Sequence, residues 1–410
     1  MGKQVKLQRT LGLFEVTTAG VGIILGAGIY VLLGIASGYA GNATWMAFAV
    51  AAVVSILTGL SYAELSSVFP SDASEEVYVE KAFSRRTAEV IGMMVILTGI
   101  SSGATVALGF AHYAGALIHI PLLWTAIGLI AVLSLINFIG IKQSTRLNVI
   151  CTIIETLGLF LVIIIGVKFI GRIDYMEMPF GLQGVLRASA LIFFAYMGFE
   201  TMVKLSEETK NPTKTIPKSI ILAIIISSLI YLTVAVIALS VVPWEVLSKS
   251  NAPLADVAAA ALGNNVLPFV VIAVIALFST ANTVLMTLVT TSRIMYGMAV
   301  KKRFPGFFAQ VHKGTRTPSK AIFVLMILTM IFTLIGKIDI IANINDVFLF
   351  LTFAVVNAAN VKLRYALPYT KRPFKVPGAI GKFQILSFCG MVVSLIMMGY
   401  ACLNIIQGVA

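Results

Sequence analysis

Two acidic residues of this chain stand in apolar runs. Glu155 lies in RLNVICTIIETLGLFLVIII, nine residues past Arg146, which is about 13 Å along a helix at ~1.5 Å per residue. A carboxylate at such depth in hydrocarbon is costly, so it faces a cavity or a fixed polar partner. Two readings fit: a site for a proton or a cation, or a carboxyl hydrogen-bonded between helices. Glu200 follows Gly198 in ALIFFAYMGFETMVKLSEE, where an acid suits a helix-terminus hydrogen bond. Near the N-terminus, VTTAGVGIILGAGIYVLLGIASG carries Gly20, Gly22, Gly26, Gly28 and Gly34. Small residues let apolar helices pack closely or lower the cost of unwinding. Recurrence of a glycine site in the two runs favours unwinding, at Gly26-Ala27-Gly28 and at Gly198. A broken helix bares N–H and C=O groups, tolerable at membrane depth only beside a cavity or a ligand. Half-helix N-termini then attract a carboxylate and half-helix C-termini an ammonium. Two facing breaks suit a zwitterion such as an α-amino acid.

The elements that must position these groups follow from composition. Of 410 residues, 59% are hydrophobic and 11% charged, against about 25% charged in soluble domains. That excludes a cytosolic enzyme, a disordered chain and a disulfide scaffold, and leaves an all-α polytopic membrane protein. A β-barrel is excluded because the apolar runs are continuous and do not alternate. Eleven spans are expected, at 13–37, 43–67, 88–118, 121–140, 148–170, 185–204, 217–242, 266–296, 320–336, 342–361 and 384–407. With the N-terminus in the cytoplasm, 25 of the 30 Lys and Arg residues fall on the cytoplasmic side, and only Lys168, Arg172, Arg187, Lys249 and Lys337 on the other. This positive-inside bias accounts for the net charge of +13, so no nucleic-acid partner is needed. The multi-pass protein is expected in the cell's cytoplasmic membrane. Cys151, Cys389 and Cys402 sit in apolar runs without metal-ligand spacing and read as small hydrophobes. MGKQVKLQRTLG reads as a retained cytoplasmic tail, with no cleavage site.

Span lengths suggest an internal repeat. The third and eighth spans are long, the fourth and ninth short, and the first and sixth carry the glycine interruptions. Five helices per half invert the second half, as in inverted-repeat transporters. The expected organisation is a tail (1–12), a first repeat (13–170), a second repeat (185–361) and an additional eleventh span (384–407).

These residues resemble the amino acid–polyamine–organocation (APC) permeases. The likeness is carried by Gly26-Ala27-Gly28-Ile29-Tyr30, by Tyr62-Ala63-Glu64-Leu65 with Phe69-Pro70, and by Phe193-Phe194-Ala195-Tyr196-Met197-Gly198-Phe199-Glu200. It continues in Glu207-Glu208-Thr209-Lys210-Asn211-Pro212, Ile216-Pro217, Ser279-Thr280-Ala281-Asn282, Ser292-Arg293, Phe304-Pro305 and Thr317-Pro318. The likeness covers about residues 10–365 and implies a five-plus-five inverted-repeat fold, with discontinuous first and sixth helices, working by alternating access. It implies that a substrate carboxylate meets amides at Ala27 and Gly28, and the ammonium carbonyls of Ile24, Phe194 and Met197. Phe194 or Tyr196 would form a thin gate, and Glu200 would link to gating and proton sensing. Glu155 would border a sodium-site-like niche, with Ser279 and Asn282 as neighbours. The chain departs from the family in having eleven spans rather than twelve. It also has SDASEEVYVEKAF where a GGxYxY-like stretch is usual, and Glu155 where several proton-coupled relatives carry lysine.

The expected side-chain pocket draws on Ser101, Ser102, Gly103 and Thr105, with Thr283, Thr287, Phe348 and Phe350. This lining favours a neutral amino acid. A cationic substrate is preferred if Asp346 or Glu155 points into the pocket. Glu15 and Glu64 read as solvated at cytoplasmic ends, and His112 as facing a cavity or a neighbouring helix. No cofactor or metal site is expected. H⁺, favoured by Glu155, or Na⁺ would be the coupling ion, in a monomer or homodimer. The alternatives are Na⁺-coupled or exchange-type transport of cationic amino acids or polyamines, and a channel or membrane scaffold. The sequence lacks HExxH, a closely spaced Asp pair or a Ser–His arrangement at shared depth, which argues against a membrane enzyme.

Overall fold

The computed structural model describes residues 9–70 and 74–409. Lys3 and Lys6 of the expected tail and residues 71–73 lie outside the described residues, as do the side chains of Lys142, Arg146 and Glu207. The first span is two helices, α1 (Leu13–Ile24) and α2 (Gly28–Ala40), and a turn at Gly41, with φ +62°, reverses the chain into α3 (Thr44–Val68). A short helix α4 (Glu75–Ala82) precedes the long α5 (Arg85–Leu117), then α6 (Leu122–Ile139) and α7 (Ile141–Gly166). The sixth span is α8 (Gly181–Ile192), a tight 3₁₀ turn Phe193–Tyr196, and a 3₁₀ half-helix Phe199–Glu207. There follow α9 (Pro212–Val241), the short α10 (Trp244–Leu247) and α11 (Pro253–Ala261), and then α12 (Val266–Val300). The last helices are α13 (Ser319–Thr333), α14 (Ile338–Ala366) and α15 (Ile385–Val409). A two-residue hairpin, Ala379–Ile380 with Phe383–Gln384, joins the last two helices.

Among the described residues, nine helical stretches are long and apolar enough to cross a membrane. One of them, Gly28–Val68, contains the Gly41 turn and so supplies two passes, α2 and α3. The apolar α13, about 22 Å long at ~1.5 Å per residue, is shorter than these stretches and stands where the ninth span is expected. The fifth span starts seven residues earlier than expected, at Ile141. Within the SDASEEVYVEKAF segment, the described residues form α4 from Glu75.

The packing has a regular pattern. The two halves of span one lie against the two halves of span six, α3 packs on α9, α5 on α12, and α6 on α13. α7 packs on α12 and α9, while α14 packs on their counterparts five spans away, α5 and α3. α15 stands outside that scheme, against α14, α3 and α8. A parallel bridge between Leu11 and Thr209 ties the start of α1 to the end of the sixth span, with Lys210 N–H donating to Leu11 O at 2.8 Å.

The structure corrects the reading of Glu64. It is fully buried, not solvated. Its carboxylate accepts from Arg364 Nε and Nη2 (2.9 and 2.6 Å), Arg372 Nε (3.0 Å), Gln384 Nε2 (3.0 Å) and Val376 N–H (2.7 Å). A charge buried at this level persists because it is paired and its lone pairs are filled. The cluster staples the end of α3 to the segment between α14 and α15.

Candidate functional site: two broken helices around a cavity

α1 ends where Leu25 leaves helical geometry, with ψ +45°. Gly26 N–H turns back to Ile24 O at 2.7 Å, and Ala27 N–H donates to Thr283 Oγ1 of α12 at 3.2 Å. In span six, Met197 is extended and Gly198 has φ +123°, a conformation L side chains rarely adopt. Glu200 Oε2 accepts Gly198 N–H at 2.8 Å, so Glu200 caps the 3₁₀ half-helix that follows. The helix-terminus reading of Glu200 therefore holds, and its side chain also lines the cavity described below.

The breaks cross at two glycines. A Cβ on Gly28 would lie 2.5 Å from Ala195 Cα, and one on Gly198 2.6 Å from Ile23 Cγ2. These glycines thus serve close approach as well as unwinding. Tyr231 of α9 joins the breaks: its hydroxyl lies 2.5 Å from Ile24 O and 3.1 Å from Ala195 O. Nothing in the sequence around Tyr231 signals this role, since a lone tyrosine in an apolar helix reads as core.

A cavity of about 290 Å³ opens beside the breaks. Ile24, Gly26, Ala27, Gly28, Phe194, Met197, Gly198, Ser102, Glu155, Glu200 and Asn282 all line it. Hydroxyls of Thr98, Thr283, Thr287, Thr290, Thr291 and Thr352 add a mildly polar wall, while Ile23, Met286, Leu349 and Phe353 add an apolar one. The cavity reaches exposed Lys204 and Thr290. There it adjoins a hollow of about 150 Å³ that extends to Lys301. α4 forms part of this mouth. Glu75 lies in it, within 3.4 Å of the Tyr62 hydroxyl. Arg303 pairs with Glu80 at 2.6 Å and Glu76 at 3.4 Å, tying α4 to the end of α12. Burial pushes the Glu76 carboxyl above the usual range, opposed by Lys301 and Arg303.

Several expected residues do not line the cavity. Tyr196 is buried, donating to Phe48 O at 3.0 Å and packing edge-on to Tyr231. It therefore wedges span six against α3, and Phe194 is the residue of this turn whose ring lines the cavity, with Phe353 of α14. Thr105 is buried on α5 beyond Ser102, its hydroxyl without a partner among the described residues. Ser279 is buried on α12, facing the Glu155 carboxyl together with Thr152. Of the expected side-chain pocket, Phe350 stacks on Phe193 at 4.6 Å instead, and Ser101, Gly103 and Phe348 are absent from the lining. Asp346 is fully buried outside the cavity. His112 meets Asn251 Oδ1 at 2.7 Å, so it faces a neighbouring segment.

Glu155 is 1% exposed. Its Oε2, Ser279 Oγ and Asn282 Oδ1 lack hydrogen-bond partners among the described residues. Buried polar atoms are normally paired, so these three atoms on the packed helices α7 and α12 are out of the ordinary. The Tyr30 hydroxyl donates to Glu155 O at 2.7 Å and fixes this turn of α7 to α2.

Residues 11–407 match the family described as amino acid permease. The chain belongs to the amino acid permease family. It is 29% identical over 394 residues to the branched-chain amino acid permease BcaP of Bacillus subtilis, covering 91% of this chain and 84% of that protein. It is 28% identical to the methylthioribose transporter of the same organism, covering 92% and 85%. It is 26% identical to the vacuolar cationic amino acid transporter 4 of Arabidopsis thaliana, covering 88% and 64%. The first of these relatives is named as a permease and the other two as transporters.

Proposed function

We propose that this permease carries a neutral α-amino acid by alternating access, with Glu155 as the proton-coupling group. The observation that carries the reading is the convergence of both breaks, Glu155 and a hydroxyl-rich wall on one cavity. The substrate carboxylate meets the main chain at Ala27 and Gly28, where α2 begins and its dipole favours an anion. The ammonium meets carbonyls of Ile24, Phe194 and Met197, and Phe194 closes over it. The side chain lies between Ser102, Thr287, Met286 and Leu349, which suit a small neutral group. The mouth lies at the Lys- and Arg-rich end, so with that end in the cytoplasm the cavity faces inward. Spans one to five and six to ten act as two inverted repeats, supported by packing that repeats when each span is exchanged for the one five positions on.

Cationic substrates are the second reading, favoured by Glu155 lining the cavity. Against it, Asp346 lies outside the cavity, and Glu155 faces Ser279 and Thr152 rather than the wall expected to hold the side chain. Uptake into proteoliposomes decides, with a panel of common amino acids plus methylthioribose, each with and without a pH or Na⁺ gradient. Neutral amino acid uptake driven by an inward proton gradient is expected. Uptake confined to lysine and arginine, or driven by Na⁺ alone, overturns the neutral, proton-coupled reading.

A further inference from the structure

Asp346, on α14, is the buried acid that the cavity does not use. It is fully buried, and its Oδ2 has no hydrogen-bond partner among the described residues. Its Oδ1 accepts from Asn345 Nδ2 at 3.2 Å. The same amide nitrogen lies 3.2 Å from Met197 Sδ, and Asn345 Oδ1 accepts from Ser101 Oγ of α5 at 3.3 Å. The carboxyl also faces the main chain at Phe194. Asp346 thus sits behind the span-six break, linked through Asn345 to a residue of that break.

Among the described residues no cation pairs with it. α5 carries no charged group between Glu89 and His112. On α3, Glu64 is committed to Arg364 and Arg372. On α4, Glu76 and Glu80 face Arg303, Glu75 lies at the cavity mouth, and Lys81 is exposed at the end of the helix. Arg187 of α8 donates to Asn404 of α15 and stacks over Tyr39. Tyr196, the ionisable group of the 3₁₀ turn, is bonded to Phe48. Otherwise α15 offers Cys389, Tyr400 and Cys402. Lys337 of α14's own start is taken by Gly408 O. An ionised carboxylate without a counter-charge is the costliest group to bury, and such groups neutralise themselves by holding a proton.

We propose that Asp346, with Asn345 and Ser101, forms a second proton-binding site, separate from Glu155, loaded in this conformation and coupled to the span-six break. Loss of that proton creates a charge beside Phe194 and Met197. The charge must draw in donors, pulling on the Asn345–Met197 tether, or reach water as the break rearranges. The role in transport rests on the reading given above, but the protonation itself does not.

Infrared difference spectroscopy of the purified protein in lipid, in H₂O and D₂O, tests the site without any substrate. Near neutral pH, a protonated-carboxyl C=O band is expected in the wild type. It is lost in Asp346→Asn and retained in Glu155→Gln and Glu200→Gln. An Asp346→Asn spectrum identical to wild type overturns the proposal. If that variant does not fold, Asp346→Glu serves instead: a shifted band supports the site and an unmoved one overturns it. In proteoliposomes, Asp346→Asn is expected to lose pH-gradient stimulation of net uptake while keeping substrate counterflow. An unchanged pH profile overturns the coupling. Absence of any amino acid uptake by the wild type would defeat the transport reading while leaving the infrared result to decide the site.

Discussion

Tyr231→Phe removes one oxygen from the point where the two breaks meet. The ring can keep its packing against Phe48 and Tyr196. What disappears is the donor that lies 2.5 Å from Ile24 O and 3.1 Å from Ala195 O. Ile24 O retains Gly26 N–H at 2.7 Å, so the loss falls mainly on Ala195 O and on the second lone pair of Ile24. Leaving a buried polar group unsatisfied costs about 1–3 kcal/mol. If the substrate ammonium supplies a replacement donor at these carbonyls, that cost is confined to the empty protein. Binding then becomes tighter by about tenfold for ~1.4 kcal/mol. The empty variant also melts earlier than wild type, and saturating substrate restores more of the difference. Scintillation-proximity binding of labelled substrate, paired with thermal unfolding in detergent, measures both. Equal or weaker affinity in Tyr231→Phe, with lowered stability, would show that the ammonium does not use the carbonyls Tyr231 now holds. The assignment of Ile24 to the ammonium site would then fall.

Three further perturbations separate site from scaffold. Glu155→Gln should abolish the pH dependence of uptake while substrate binding survives, and an unaltered pH profile in proteoliposomes removes Glu155 from coupling. Gly28→Val drives a side chain into Ala195 Cα, 2.5 Å from its Cβ. Overpacking costs about 1–3 kcal/mol and should part the breaks, so binding should be lost, and intact affinity would show that the carboxylate does not sit there. Glu64→Gln leaves Arg364 and Arg372 beside a neutral group; breaking a buried pair costs about 3–5 kcal/mol, to be read as a large fall in melting temperature, and a stability close to wild type would mean that the staple is solvated in the membrane-embedded protein.

The spans were legible because hydrocarbon is an unforgiving solvent: apolar runs of sufficient length and a lopsided Lys and Arg distribution leave little choice of element or count. The breaks were legible for a related reason. Glycines clustered at Gly26-Ala27-Gly28 and the lone Gly198 are where a helix can stop without a Cβ in the way. What sequence could not show is which atoms meet the freed main-chain groups, because those partners come from helices far along the chain. Thr283 reaches Ala27 across 256 positions, and Tyr231 reaches Ile24 across 207. Tyr231 has no spacing that distinguishes it from core, and nothing around Thr283, although expected in the pocket, signals its bond to Ala27.

The same limit explains the error at Glu64 and the place Tyr196 takes in the fold. An acid at a span's end is ordinarily solvated, and only the fold brings Arg364, Arg372 and Gln384 around Glu64. Tyr196 and Phe194 are two residues apart on a tight turn, so they cannot share a direction. Phe194 takes the cavity, and Tyr196 takes the carbonyl of Phe48. A gate built from this turn therefore moves both groups together. If Phe194 swings to close over a substrate, Tyr196 must shift against α3 and Tyr231, and the Ala195 carbonyl between them moves with it. With Phe194 as the proposed gate, occlusion and release of the Tyr231 hydrogen bonds become one event, and the affinity of the site follows the position of that turn.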